Sequence, residues 1–327
     1  MIVRFALLGV LLVMPGIGRA EEPVFPRELV SFVPSGPKPV FVAGGEGRWD
    51  VKIRERGFIL REGPRWHMWF TGYDGTRPGL KMLGYASSRD GVSWTRHKTN
   101  PVYKAHWVED MMVVKQGAVY FMFAEGRGDV AHLLVSTDGI GWTRRGPLDV
   151  RLANGKKIPA GPYGTPTGYY ENGTWYLFYE RRDAGIWLAT SRDMLTWTNI
   201  SDDPVLKPGP GLYDRDMVAL NQVIKYKGRY YASFHGAAKG EETPTLWSSG
   251  VAVSDDLKSW TKYPGNPLRP RKENKSSGVY VWDGSRFVFY TMHGAVHRHL
   301  PGIETVSYTH LRAHETRHDL VCRLLLE

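Results

Sequence analysis

Residues 119–142 read VYFMFAEGRGDVAHLLVSTDGIGW. An aromatic, β-branched run is followed by a Gly-rich turn. A short apolar run comes next, and a Ser-x-Asp-Gly turn then leads into a tryptophan. That order spells strand, turn, strand, turn, strand. The aromatic half recurs as WHMWFTGYDG from Trp66, TWYLFYERR from Thr174, RYYASFHG from Arg229 and RFVFYTMHG from Arg286. The turn half recurs at Ser88, Asp90, Gly91 and Trp94, with looser copies at Ser191, Asp193, Trp197 and at Ser254, Asp256, Trp260. The turn tryptophans stand 48, 55 and 63 residues apart, a spacing that suits propeller blades. With one inner strand before each aromatic run, such as 111–115, each unit has four short strands. Five aromatic runs predict an all-β fold, a five-bladed β-propeller of four-stranded antiparallel blades.

The Ser-x-Asp-Gly turns resemble the Asp-boxes of sialidases, one residue shorter. Their expected role is structural: Asp caps turn amides, Gly takes positive φ, and Trp packs between blades. Residues 21–48, rich in Pro and Gly, precede the first inner strand and are expected to close the last blade. Residues 1–20 read as a secretory signal, with Arg4, an apolar run from Phe5 to Met14, and small Gly18 and Ala20 before a cleavage point. This implies a secreted or periplasmic bacterial protein whose mature chain has no membrane span. The propeller domain is expected over 21–303. The tail 304–327 lacks the Gly, Asp and Trp signals of the blades and is set apart as atypical, resembling foreign reading-frame sequence rather than native sequence.

The formal charge is +10, and losing Arg4 and Arg19 with the signal leaves +8. A basic surface fits an anionic carbohydrate, a sulfated or uronic polysaccharide, though a plain solvated surface accounts for the charge more often. No lysine-rich run or nucleic-acid motif is present, so nucleic acid is not expected as a partner. The single cysteine, Cys322, leaves the body without disulfides or a cysteine-type zinc site. The pairs His97/His106 and His297/His299 carry no zinc spacing, and no metal site or cofactor is expected.

Antiparallel pairing places the start of each inner strand and the end of each aromatic strand on one propeller face. Those positions are rich in acids. Asp50 follows Trp49; Glu109 and Asp110 follow Trp107; Asp214, Arg215 and Asp216 precede the fourth inner strand. Asp74, Glu125, Glu180, His235 and His293 end the aromatic strands, with Arg127 and Arg181 beside two of them. Crowded carboxylates split their pKa values, and glycoside cleavage needs that split: one acid for the leaving oxygen, one carboxylate for water or carbon. Trp49, Trp107 and Tyr163 are placed to stack on sugar faces or to serve the core.

The arrangement resembles the five-bladed propeller glycosidases, glycoside hydrolase family 43 and its relatives such as families 32, 62 and 117, over roughly residues 45–300. The resemblance implies an Asp base on the first inner strand, a pKa-tuning Asp on the second and a Glu acid on the third. Asp50 and Asp110 match the first two. The third position reads Gly164-Thr165-Pro166-Thr167 and holds no acid. Glu180 ranks first as its substitute and His235 second; Glu125 and His293 are further candidates, since family 117 uses a histidine acid. The resemblance also leaves room for a structural Ca²⁺ in the central channel. Arg181 and Arg215 are candidates for a substrate carboxylate or sulfate, or simply partners of Glu180 and Asp216; Glu109, Arg127 and Thr165 complete the expected sugar contacts. The expected activity is inverting hydrolysis of a glycosidic bond in a plant or algal polysaccharide. The alternatives are a non-catalytic glycan-binding propeller and a phosphorylase or transglycosidase on the same fold.

Overall fold

In the computed structural model, residues 24–302 are described, apart from position 55. The expected signal and the tail 304–327 lie outside the described residues. Five antiparallel sheets follow one another around a central channel. Blade two shows the pattern most simply. Glu109–Gln116 is innermost, followed outward by Val119–Gly126, Val130–Ser136 and Thr143–Pro147. Blade four repeats it from Met217–Tyr226 to Thr261–Lys262, a two-residue outer strand.

Blade one has a broken inner strand. Lys52–Ile53 and Phe58–Glu62 both pair with Arg65–Tyr73. Blade three gains a fifth strand, Asp149–Arg151, which runs parallel to Thr196–Asn199. Blade five is completed from the other end of the chain: Phe32–Pro34 pairs antiparallel with Ala295–Pro301. That strand lies in the Pro/Gly-rich stretch expected to close the ring. It hydrogen-bonds two distant stretches of the chain into one sheet and so closes the ring.

The repeated turns also join neighbouring blades. In blade two, Asp138 Oδ1 accepts from the amides of Ile140 and Gly141, both at 2.8 Å, and from Ser136 Oγ at 3.0 Å. Asp90, Asp193 and Asp256 make the same contacts in their blades. The turn carbonyl then faces the preceding blade, where Trp69 Nε1 donates to Gly139 O at 2.7 Å. The turn tryptophans pack edge-on against aromatic strands one blade back: Trp142 on Trp69, Trp197 on Phe123, Trp260 on Phe178. Trp142 and Trp197 are buried and Trp260 half-buried, so these edge-to-face rings add apolar contact between blades.

Candidate active site at the channel mouth

Each inner strand starts with a kink. Arg56, Asp110 and Thr165 have φ of 53°, 46° and 46°, and each stands seven residues before a hairpin-turn residue of positive φ: Gly63, Gly117 and Asn172. The three are therefore equivalent positions. Non-glycine residues in this region cost about 1 kcal/mol or more each, and such strain gathers at functional sites. In blade four the register slips at Asn221 instead. The kinks turn these residues toward the channel axis.

Opposite them stand the ends of the second strands. Glu109 pairs with Glu125, Gly164 with Glu180 and Ala219 with His235; Thr71 holds the corresponding place in blade one, its carbonyl accepting from Arg54 N. Thr71, Glu125, Glu180 and His235 are thus one structural position carried through four blades.

Arg56 lies at the centre. Its guanidinium is fully buried and donates to Asp110 O and Pro166 O at 2.7 Å and to Thr167 Oγ1 at 2.5 Å. Burial pulls its pKa down to about 10, while the negative charges of Asp110, Glu125 and Glu180 oppose that loss. The cation persists at neutral pH and supplies the positive charge among three carboxyl groups. Among the described residues, no group of three or more His, Cys, Asp or Glu is arranged to hold a metal ion.

Glu125 and Glu180 are tied to successive amides of blade three. Thr165 N donates to Glu125 Oε2 at 2.8 Å, and Gly164 N to Glu180 Oε1 at 3.2 Å. A Cβ at position 164 would fall 2.2 Å from Glu125 Oε2 and 2.8 Å from Glu180 Oε1, so only glycine lets both carboxyls approach there. Burial raises Glu180 to about 7, helped by the charges of Asp183 and Asp129, although the Asp183 amide, 2.5 Å from Oε2, pulls the other way. Burial also raises Glu125 well above the ordinary carboxylate range, with Asp110 and Glu109 adding repulsion.

The other half of the mouth carries imidazoles and an amide. His235 Nδ1 lies 2.6 Å from Asn221 Oδ1, and its ring packs edge-on against Trp247. An amide oxygen only accepts, so Nδ1 carries the hydrogen and Nε2 is a bare acceptor. Burial, with Arg56 and His293 nearby, lowers His235 to about 3. The ring is neutral at physiological pH. His293 Nδ1 meets Ser276 Oγ at 2.9 Å, and Lys275 Nζ meets His297 Nε2 at 2.7 Å.

No family model matches the chain. It is 26% identical over 220 residues to a 1,2-β-oligomannan phosphorylase of Thermoanaerobacter sp., covering 61% of this chain and 70% of that protein. A glycosyl hydrolase from Bacteroides ovatus superposes with a TM-score of 0.66 at 17% identity, over 82% of this chain and 93% of that one. The β-1,2-mannobiose phosphorylase of Listeria innocua gives 0.64 at 14% identity, over 82% and 95%. The fold is that of the propeller glycoside hydrolases. The resemblance to families 43 and 62 extends in solved structures to family 130, the mannoside phosphorylases.

In this propeller the residues named from sequence fall into three groups. Asp110, Glu125, Glu180, His235, Thr165 and His293 gather at the mouth as described. Trp107 and Glu109 form its rim over blade two: Trp107 Nε1 donates to Glu109 Oε1 at 2.5 Å, and Arg54 Nε lies 2.9 Å from Glu109 Oε2. Arg127 lies over the Trp107 ring. Tyr163 donates to Leu148 O, and Arg181 donates to Pro159 O at 2.9 Å rather than to Glu180.

The third group is engaged elsewhere. Asp50 is buried but accepts from Arg96 Nε and Nη2 at 3.1 and 3.0 Å, six residues upstream of Arg56, which holds the blade-one place equivalent to Asp110. Trp49 packs on Phe70. Arg215 pairs with Asp216 at 2.9 Å and with Glu241, on the exposed rim of blade four. Asp214 is buried against Lys262, and Asp74 caps Thr76 N at 2.8 Å.

Sequence reading missed Arg56, Asn221 and Thr167. Arg56 stands in the polar stretch Ile53-Arg54-Glu55-Arg56-Gly57-Phe58, where nothing separates a channel cation from a solvated one. The usable signal was the seven-residue count back from the hairpin turns of blades one to three.

Proposed function

We propose that this protein is a carbohydrate-active enzyme that cleaves a glycosidic bond at the channel mouth and passes the glycosyl group to phosphate. The observation that carries the reading is the pair Glu125–Glu180, held on successive amides beside the Arg56 cation, with Glu180 near pH 7. Three carboxyl groups face one buried cation, so full ionisation is opposed and a proton is retained among them. A protonated carboxyl of this pair donates to the leaving glycosidic oxygen; a pKa matched to neutral pH is what general-acid catalysis requires. Asp110, beside Arg56, supplies negative charge against the developing oxocarbenium ion. The neutral His235 and Asn221 on the facing side offer an acceptor and an amide to sugar hydroxyls.

Phosphate is favoured over water as nucleophile by the likeness to the oligomannan phosphorylase. Phosphate oxygen bonds to the anomeric carbon as the glycosidic C–O bond breaks, and the leaving oxygen takes the carboxyl proton. The products are a sugar 1-phosphate and a shortened saccharide. Hydrolysis on the same acid is the second reading, supported by the hydrolase propellers of the same fold.

Incubation with β-1,2-mannobiose and a panel of β- and α-linked disaccharides, with and without inorganic phosphate, tests both. Sugar 1-phosphate that forms only with phosphate is the expected result. Free sugar at the same rate without phosphate moves the assignment to hydrolysis. Saturable binding without either product on any saccharide leaves a glycan-binding protein and removes the enzyme reading.

A further inference from the structure

A groove runs outward from the mouth over blades two and three, and the channel chemistry does not use it. Its inner part is a cavity of about 330 Å³ lined by His106, Trp107, Gly126, Arg127, His132 and Arg144 among others. A second cavity of about 500 Å³ shares Val130 and Pro147 with it and continues past Lys157 to Tyr163. The carboxylate along this path, Asp149, is paired with Arg151 at 2.6 Å. Arg127 and Arg144 are exposed, and no ion pair joins either to a carboxylate among the described residues.

His132 gives the groove its chemical character. It is 2% exposed, and its Nε2 has no hydrogen-bond partner among the described residues. Its Nδ1 lies 3.4 Å from Val130 O, an acceptor, so Nδ1 carries the hydrogen and Nε2 presents a lone pair. Burial, with Arg144 and His106 nearby, lowers its pKa to about 4, which keeps the ring neutral. The ring sits on Gly126, where a Cβ would fall 2.8 Å from Nδ1, one residue from Glu125.

A bare nitrogen lone pair repels an unprotonated anion oxygen but accepts a hydrogen bond from a sugar hydroxyl. The unpaired guanidinium groups call for an anion, which they hold best as paired hydrogen bonds to a carboxylate or sulfate. One ligand that offers both is an acidic sugar. The length of the groove also exceeds what a single small anion needs. We propose that this groove forms the outer subsites of the substrate site, where a sugar unit bearing a carboxylate or sulfate group places its acidic group between Arg127 and Arg144 and a hydroxyl on His132 Nε2. A neutral disaccharide would fill only the channel end.

The inference rests on the mouth being a glycan site, not on which reaction occurs there, and its test reads binding alone. Calorimetric titration of the full chain would use tetragalacturonate, a sulfated carrageenan tetrasaccharide, neutral mannotetraose and inorganic phosphate. One acidic glycan is expected to bind at least about tenfold tighter than the neutral one. Arg127→Ala with Arg144→Ala should abolish that advantage at unchanged melting temperature. His132→Phe keeps a ring on Gly126 and should weaken the acidic glycan. Equal affinity for neutral and acidic glycans, or no effect of the arginine pair, overturns the proposal. Phosphate that binds alone in an arginine-dependent manner and displaces the glycan also overturns it, in favour of a free-anion site. A protein that binds an acidic glycan but cleaves nothing retains this inference and loses the reaction; one that phosphorolyses neutral mannobiose and ignores acidic glycans does the reverse.

Discussion

The outer turns and the channel positions are both repeated in this propeller, yet they use repetition in opposite ways. At the rim, Ser and Asp recur in four blades and make the same short bonds each time. At the mouth, one structural position carries Thr71, Glu125, Glu180 and His235, and another carries Arg56, Asp110 and Thr165. The rim has one task per blade, capping turn amides and presenting a carbonyl and a tryptophan to the neighbour. The mouth is a single site shared between blades, so what stands at one position varies from blade to blade: Thr, Glu, Glu and His. Repetition of residue marks a local structural duty; repetition of place with changing residue marks a composite site.

Arg56 offers the strongest way to break this contrast. Its replacement by Met removes three buried hydrogen bonds and leaves Asp110, Glu125 and Glu180 without their cation. A loss of about 3–5 kcal/mol in urea unfolding is expected, far more than any rim substitution. A loss below 1 kcal/mol would mean that the mouth is not organised around this residue.

Glu180 sharpens the contrast through pH. Activity that needs its proton is present below about pH 7 and falls as Glu180 ionises above it. Glu180→Gln should lower kcat by about 10²–10⁴-fold and erase that alkaline limb. The stability sign is the reverse of a rim aspartate's. The folded pKa of Glu180 is raised, so its contribution is full below the unfolded value of about 4.3 and is lost as pH rises toward 7. The Gln variant should therefore lose less stability than wild type between those pH values in parallel melts. Identical pH–rate profiles in the two proteins would remove Glu180 from the chemistry.

The smallest effect is expected at the rim. Asp138→Ala removes the acceptor for Ile140 N and Gly141 N, which should cost about 1–2 kcal/mol with activity unchanged. The amide bond from Ile140 leads the forces that depress Asp138's pKa, so its stabilisation is present above the unfolded carboxylate value and is lost as pH falls through the lower folded one. The variant should show a shallower acid-unfolding slope. A substantial loss of activity would make the turn more than a cap.

Much of the fold was open to reading because its determinants are local. Alternation of aromatic and β-branched residues marks strands, and Ser-x-Asp-Gly marks a turn whose bonds close within three residues. Glu125 and Glu180 were legible because both end an aromatic strand. Asp50 stood out as an acid before the first strand, but the kink that brings Arg56 to the axis instead depends on the left-handed backbone at Arg56 itself. Arg96, which takes Asp50's charge, lies 46 residues away.

The sequence by itself determined that the chain repeats strands and turns about every fifty residues, and therefore that it closes as a ring of blades. It also determined which face would collect acids, since strand ends alternate between faces. Only the tertiary structure decided that an arginine joins those acids and that Gly164 lets two carboxyls share one strand end. It alone decided that His235 and His132 are neutral with a bare nitrogen each. The physical reason is range. Strand and turn preferences act over a few residues, whereas burial and charge act through space between blades whose residues lie tens of positions apart.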